Sequence, residues 1–587
     1  MVQKSFYALY DNQSNEIDCI CKLWKVIYNE ITGQLSRNYP EVAEVRDPYR
    51  YPTFFDFLEK LSSLRDKLTH GEILPLTTQF TEQDTVHPRH PRDIWDFGRL
   101  NVLFTFLKKA PLSSDYLELE ALQKHVRDEL LRSDCFEKLL DVKWIIKEWC
   151  DQIPWDFFPC GFGPGVTSQT KRDKASKYAN FNGVIPFSAL GDNTFIDVAK
   201  CGFWRVGKVA GIGKYVPLFR ASRPIAVPKT AKGPRIIGPE PVTLGWAQHG
   251  VMEVCYRFLS RHSYLRHRCN LYDQTRNQQM TQFGSRTGMF TTVDLHAASD
   301  SNRNSLTEWL FEGTKLGELL KAVRTEYMIV PGTDDLLIPH SKYCGMGSAV
   351  CFPVESLIFA AVAEAVSRRA GTPKTIFGFP SWSVYGDDII IYHENFELLR
   401  IYLEALGFEI NTTKTFSGLF LESCGKECYC GCDVSPVYFR VRGLANKLVT
   451  FENYGSYVAL VNNLYHKGLP ETRKYVLKLL YSKKVRISSK HTKPIVPMYT
   501  SDPDNTSAIY SLTRSNKRRV KIVDGRPTWI YEEYGTHVVP EKVSDECKAP
   551  TMQPVFDWLV ARAWSNSKIS GEQPQSFVPP RGHDLRS

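Results

Sequence analysis

The sequence predicts an α+β fold, on three observations. Residues 1–150 carry apolar side chains at helical spacing, the stretch from about 285 to 445 alternates β-prone and helical runs, and helical patterning returns beyond 445.

At 587 residues the chain is several times the usual domain size, which suggests a few compact units or one large body built from subdomains. Apolar residues at 43% and charged residues at 24% sit near globular averages and argue against a disordered or fibrous chain. Lys and Arg number 74 against 64 Asp and Glu, a net charge of +10 that permits nucleic acid without requiring it. The opening residues MVQKSFYALYDNQSNEIDCICKLW lack signal-peptide architecture, and no stretch offers 18 uncharged apolar residues, so a cytosolic protein is expected. Fifteen cysteines in so long a chain read as reduced thiols.

Helices are expected first over Phe54-Phe55-Phe57-Leu58-Leu61-Leu64 and Trp95–Leu107, separated by a polar loop, TEQDTVHPRHPRD, that Pro88 and Pro91 keep out of helix. From Pro159 to Gly250 the composition turns to Gly, Pro and basic residues, as in SRPIAVPKTAKGPRIIGPEP, which predicts surface loops and short strands. No G-x-x-x-x-G-K-[ST] phosphate loop occurs, which excludes that class of nucleotide-hydrolysing motor.

Met289–Leu295 reads MFTTVDL, a strand that delivers Asp294 near its end. After the small turn HAAS comes Asp300, placed near the start of a helix over SNRNSLTEWLF, where an acid is either a ligand or simply the helix cap. Further on, Val354–Val366 reads as a core helix. Two apolar runs, Trp382-Ser383-Val384-Tyr385 and Ile389-Ile390-Ile391-Tyr392, flank Gly386-Asp387-Asp388 and predict a tight hairpin with glycine at positive φ and acids at its tip. A helix over Glu394–Leu406, ended by Gly407, leads into the strand-like FEINTTKTF, which carries Lys414. Cys424, Cys428, Cys430 and Cys432 lack paired C-x2-C spacing. The last three alternate as one strand face would, so they read as structural rather than zinc ligands. Helices at Tyr454–Leu464 and about 470–481 precede polar, basic, loop-rich sequence and a tail, 566–587, with the composition of disorder.

Adjacent acids at a turn repel each other and add nothing to it; a cation removes that penalty. Setting the Asp294 strand beside the hairpin gives a three-carboxylate cluster suited to two Mg²⁺ ions, with Mn²⁺ as a substitute. Two such ions about 3.5–4 Å apart serve both nucleotidyl transfer and nuclease cleavage, and the acids alone do not separate these.

The ordered set TVDLHAASD at 292–300, GMGSAVCFPVESLIFA at 345–360, VYGDDI at 384–389, NTTKTF at 411–416, ESCGK at 422–426 and VNNLY at 461–465 resembles the replicase β subunit of the leviviruses, small positive-strand RNA bacteriophages. The likeness runs from about Phe162 to Leu464. It implies an RNA-dependent RNA polymerase with a right-hand fold of fingers, palm and thumb, an antiparallel palm sheet, and helical N- and C-terminal regions. The expected units are 1–158, helical and bracing the fingers; 159–284, fingers; 285–445, palm; 446–565, thumb and C-terminal region; and the tail.

The resemblance also implies roles. Asp294 and Asp387 become the main metal ligands and Asp388 a weaker one, while Asp300 senses the ribose hydroxyls. Gly345–Ser348 forms the loop before the palm helix, with Gly347 and Ser348 at the nucleotide; family members often carry Ser at the position of Gly345 and Asn at that of Ser348. Arg223, Lys229, Lys232 and Arg235, in a basic loop whose bland alternative is a solvated charge run, lie on the triphosphate. Lys414 protonates the departing pyrophosphate, unless it is only a lysine on an edge strand. The implied partners are single-stranded RNA, ribonucleoside triphosphates and the host elongation factors Tu and Ts, with ribosomal protein S1 for some members, in the cytoplasm of an infected bacterium. The runs Lys483-Lys484-Val485-Arg486 and Lys517-Arg518-Arg519-Val520-Lys521 are expected to help bind RNA on the thumb side.

Rival readings are a reverse transcriptase, a two-metal nuclease and an inactive RNA-binding palm. Reverse transcriptases usually carry a different residue at the position of Gly386 and a gate residue other than an acid at that of Asp300. A nuclease has no use for the basic loop at 229–235, and an inactive palm is expected to lose one of its three acids.

Overall fold

The structure, a computed structural model, describes residues 6–10, 13–74, 91–155, 160–163, 165–169, 177, 206–209, 215–217, 220–333, 336–446, 451–482, 516–523 and 526–533. It is a mixed helix-and-sheet fold. The main N-terminal helices are α1 (Ser14–Gln34), α2 (Phe54–Thr69), α3 (Pro91–Thr105), α4 (Asp115–Leu131) and α5 (Leu140–Cys150). Helix α2 starts where it does because Thr53 and Asp56 form a reciprocal capping box. Pro91 is not part of a loop, as expected, but opens α3, since a first-turn proline loses no helical hydrogen bond.

The basic segment then forms strands β1 (Val206–Val209), β2 (Tyr215–Pro217), β3 (Ala221–Ser222), β4 (Ile225–Thr230) and β5 (Gly233–Ile237), followed by helices α6 (Val242–Arg261) and α7 (Thr275–Thr287). Helix α7 ends at Gly288 in the left-handed conformation, and the expected boundary at 284/285 falls inside it. Next come β6 (Phe290–Val293), α8 (Ala298–Ser301), α9 (Asn304–Leu310), α10 (Lys315–Ala322), β7 (Tyr327–Ile329), β8 (Leu336–Pro339) and α11 (Cys351–Arg369). Strands β9 (Trp382–Tyr385) and β10 (Asp388–Tyr392), helix α12 (Phe396–Ala405), strands β11 (Phe416–Ser417), β12 (Phe420–Ser423), β13 (Lys426–Tyr429) and β14 (Cys432–Asp433), and helices α13 (Phe451–His466) and α14 (Pro470–Ser482) follow.

The central sheet is antiparallel in the order β9-β10-β6-β11. Its strands are mostly buried, and α11, itself buried along most of its length, packs on one side of the same core. A mixed five-stranded sheet, β2-β1-β8-β7-β3, joins the basic segment to the stretch after α10, and β12-β13-β14 form a third sheet against α7.

Two large cores organise the rest. One gathers α5, α6, α9, α10, α11 and α12 around the central sheet. The other packs α1, α2 and α3 against β12, β13, α13 and α14. The N-terminal helices therefore meet the C-terminal helices, while α4 lies along the β4–β5 hairpin. Arg65 of α2 is 4% exposed in its side chain and pairs with Glu422 at 3.1 Å and Glu427 at 3.2 Å, tying α2 to the third sheet.

Beyond α14 the expected loop-rich sequence contains a hairpin, β15 (Asn516–Val523) with β16 (Arg526–Glu533), and the run 517–521 lies in β15. Residues 483–486 and the tail 566–587 lie outside the described residues. The cysteine alternation expected across 428–432 is broken: Cys430 and Gly431 take positive φ and turn the chain between β13 and β14. Cys424, Cys428, Cys430 and Cys432 form no disulfide among the described residues. No helix among the described residues is long and apolar enough to cross a membrane.

Candidate active site

The two acidic motifs meet on the central sheet. Tyr385 pairs with Asp388, leaving Gly386 and Asp387 as a two-residue turn, and Gly386 takes φ +65°. Asp388 is thus the first residue of β10 rather than part of the tip. On the other side Val293 pairs with Ile389, so Asp294 emerges from β6 next to Asp388. Asp387 is exposed and Asp388 half-buried.

Glycine is required at 386 for space as well as conformation. A Cβ there would lie 2.1 Å from Cε2 of Phe352, on α11, whose ring packs edge-on against Tyr385. The Gly386 N–H donates to Ser356 Oγ at 3.1 Å, fixing the turn to α11. Gly386→Ala is expected to destabilise the fold by about 2–4 kcal/mol, from left-handed strain plus overpacking, with partial recovery when Phe352→Leu is added. Chemical denaturation of the single and double variants checks this.

Each acid has its own surroundings. Asn411 donates to Asp294 Oδ2 at 2.8 Å and Lys414 Nζ reaches the same oxygen at 3.1 Å. Lys414 sits in a turn, not the expected strand, because the Asn411 N–H bonds the Asp294 carbonyl and the Lys414 N–H bonds Asn411. Burial raises Asp294 above the usual carboxylate range, although Lys414 opposes it. Burial, and then the charge of Asp387, push Asp388 up to about 7. Ser423 Oγ donates to Asp388 Oδ1 at 3.4 Å, and Asn277 Nδ2 to its carbonyl at 3.2 Å.

This donor set suits hard cations: it is all oxygen, and burial and then its neighbour's charge disfavour the ionised form of one carboxyl, a penalty that a divalent ion would offset. Among the described residues no three His, Cys, Asp or Glu side chains converge to enclose a metal.

The basic segment is a β-hairpin rather than a loop, with an irregular register between Pro228 and Thr230 that sets Lys229 at a bulge. Lys229 lies within electrostatic reach of Asp387, Asp294, Arg235 and Lys414; desolvation and then its cationic neighbours lower its pKa. Lys232, at the hairpin turn, instead faces Glu59 of α2 at 3.5 Å. Arg223 stands at the hairpin's base, where its N–H bonds Pro239.

The Gly345–Ser348 loop docks on that same base. Gly238 N–H donates to the Met346 carbonyl at 2.7 Å, and a Cβ on Gly347, at φ +127°, would meet Gly238 O at 2.4 Å. Ser348 Oγ is buried with no hydrogen-bond partner among the described residues. Beneath the loop, Glu240 is 6% exposed and accepts from Thr325 and, at 3.2 Å, from Gln248.

Burial pushes Glu240 up to about 7 from 4.5. The stability this neutral carboxyl contributes is fully present below about 4.5 and lost as pH rises through about 7, on the order of 3 kcal/mol. Glu240→Gln should therefore flatten the dependence, with a higher melting temperature than wild type at pH 8 and no gain at pH 5, read by thermal melts across that window.

Asp300 is not a helix cap. It lies inside the short α8, after Ala297 in the left-handed conformation, and accepts from Lys342 Nζ at 2.6 Å. Lys342, Asn411, Ser356 and Ser423 were not singled out from sequence. Asn411 and Ser423 lie within the motifs NTTKTF and ESCGK, and that adjacency was the available signal; Lys342 has none.

A family model described as "RNA replicase, beta-chain" matches residues 128–537. The RNA-directed RNA polymerase subunit beta of Enterobacteria phage SP is 35% identical over 241 residues, 40% of this chain and 39% of that protein. The corresponding subunit of Escherichia virus Qbeta is 34% identical over 270 residues, 45% and 42% of the two chains. The RNA-directed RNA polymerase beta chain of Escherichia phage MS2 is 37% identical over 215 residues, 36% and 37%. The matched stretches thus span about two fifths of these relatives' length. The RNA-dependent RNA polymerase of a human picorbirnavirus superposes with a TM-score of 0.41 at 12% identity, over 64% of this chain and 76% of that one.

Proposed function

Because this chain belongs to the RNA replicase β-chain family, its matched segment running over residues 128–537, we propose that it is an RNA-directed RNA polymerase that copies single-stranded RNA from ribonucleoside triphosphates. The observation that carries the proposal is one juxtaposition: Asp294 and the Gly386–Asp388 turn side by side on one sheet, with Lys414 and Lys229 within reach of the acids.

In this reading the fold is a right hand. The antiparallel sheet β9-β10-β6-β11 with α11 and α12 is the palm, residues 159–284 supply the fingers, and α13 and α14 belong to the thumb. Asp294 and Asp387 would hold two Mg²⁺ ions, replaceable by Mn²⁺, with Asp388 in support. Bound there, the ions supply the positive charge that eases deprotonation of a hydroxyl and stabilises a leaving oxygen.

The RNA 3′-oxygen attacks the α-phosphorus, the bond to the β-phosphate oxygen breaks, and pyrophosphate leaves. Lys229 and Arg235 orient the triphosphate and offset its charge, while Arg223 and Lys232 brace the hairpin that carries them. Lys414 is tied to Asp294 before substrate arrives; released from it, the ammonium gives its proton to pyrophosphate. Gly347 allows close approach of backbone to the nucleotide, and the unpartnered Ser348 hydroxyl offers it a hydrogen bond. Asp300 accepts from the ribose 2′-hydroxyl, the group that separates RNA from DNA. Asp300 also favours this reading over a reverse transcriptase.

The test is template-dependent incorporation of labelled ribonucleotides by the full chain with Mg²⁺, alone and with host elongation factors Tu and Ts and ribosomal protein S1. Templated RNA synthesis is the expected result, and preference for deoxynucleotides overturns the assignment. Full activity without host proteins removes them from the proposal. Activity confined to the cytoplasmic fraction of infected bacteria is expected.

A further inference from the structure

Lys342 is deeply buried beside the site, with 1% of its side chain exposed, and its ammonium hydrogen-bonds two groups and forms an ion pair with a third. Its Nζ lies 2.6 Å from Asp300 Oδ1, 3.4 Å from Glu129 Oε2 and 3.3 Å from His125 Nε2. Glu129 and His125 come from α4, an N-terminal helix outside the central sheet.

The Glu129 carboxylate is itself anchored. Its Oε1 accepts from the Lys342 N–H at 3.2 Å and from Ser341 Oγ at 2.9 Å, and faces His340 Nδ1 at 3.5 Å. Burial and the Lys342 charge lower His125 to about 4, so its ring is neutral and its Nε2 can accept from the ammonium. Lys342 also holds Asp300 below the usual carboxylate range against the opposing effect of burial, with smaller help from Arg132.

The Lys342 backbone bridges to Arg303, two residues after α8, so the ammonium and the carboxylate it holds are fixed to one another at both ends. One Asp300 oxygen is thereby committed, and a fifth of the side chain stays open.

We propose that Lys342 is a positioning residue for sugar selection: its ammonium, seated on Glu129 and His125 of α4, commits one oxygen of Asp300 and aims the other at the 2′-hydroxyl of the incoming ribonucleotide. This rests on the ribonucleotide reading of Asp300 given above. It makes α4 a part of the selectivity apparatus. Neither Met nor Gln at these positions changes a substrate contact; what changes is the freedom of the Asp300 carboxylate to rotate.

The full chain is assayed, in whichever form incorporates ribonucleotides, for kcat and KM with UTP and dUTP on one template. Lys342→Met should lower kcat/KM for UTP about tenfold, chiefly through KM, while that for dUTP changes less than about threefold. Parallel loss on both substrates means a merely structural role and overturns the proposal. Glu129→Gln, which keeps the shape and leaves the Asp300 contact in place, should shift the same ratio by roughly threefold; an unchanged ratio overturns the seating on α4. It also carries the test if Lys342→Met does not fold. Asp300→Asn separates the two levels. If it leaves the UTP/dUTP ratio unchanged, the ribose reading of Asp300 itself fails; if it abolishes the preference while Lys342→Met retains it, Lys342 alone is excluded.

Discussion

Asp387→Asn is expected to lower templated ribonucleotide incorporation about 10³-fold while affinity for RNA stays within about threefold. Asparagine keeps the size of the side chain but withdraws a full negative charge from the exposed tip of the β9–β10 turn, where no other group in the turn can replace it. The two-residue turn is set by Gly386 and the Ser356 contact, neither of which the substitution touches, so the fold should remain. Asp388→Asn should cost at least tenfold less, because Asp388 is half-buried beneath the tip and, with its carboxyl raised to about 7 by burial, is only partly ionised at neutral pH. Quench-flow incorporation beside filter-binding of RNA measures both quantities. Equal losses in the two variants would remove the distinction between a principal and a supporting acid.

The second large effect is on stability. Arg65→Met should destabilise the chain by about 3–5 kcal/mol, because it strands two carboxylates, Glu427 at 1% and Glu422 at 26% side-chain exposure, without their shared cation. Asn101 also donates to Glu427 at 2.6 Å, but a neutral amide does not offset the charge. Adding Glu427→Gln to Arg65→Met should return part of the loss, since a neutral side chain tolerates the same burial. The apparent unfolding midpoints of the single and double variants decide the matter; additive losses would show that the ion pair is not what holds α2 to the third sheet.

What the sequence made legible were features carried by contiguous residues. The β9–β10 hairpin was readable because two apolar runs bracket one glycine, and β6 because a β-prone run ends at Asp294. Helix α11 proved longer than expected, because Cys351-Phe352-Pro353 precede the apolar run as its first turn and the polar Ser367-Arg368-Arg369 continue it beyond Val366. Lys414 was misplaced on a strand: the Thr, Ile and Phe around it favour β, and the competing bonds between Asn411 and Asp294 bridge more than a hundred residues. The same distance hides the seat of Asp300. Glu129 and Lys342 are 213 positions apart and neither belongs to a periodic pattern, so only the fold brings them together. The expected basic loop became a hairpin because Ile225 and Ala226 pair with Ile237 and Ile236 across its Pro-rich middle.

The core shared by α1, α2 and α3 with α13 and α14 has a consequence for how the chain is made. The apolar faces of the first three helices are complete once residue 112 has left the ribosome, but the partners that cover them end at Leu480. At about 5–20 residues per second, the gap keeps those faces uncovered for some tens of seconds on each nascent chain. During that interval they are open to neighbouring chains on the same message, so the yield of folded protein should fall as ribosomes crowd more closely along it.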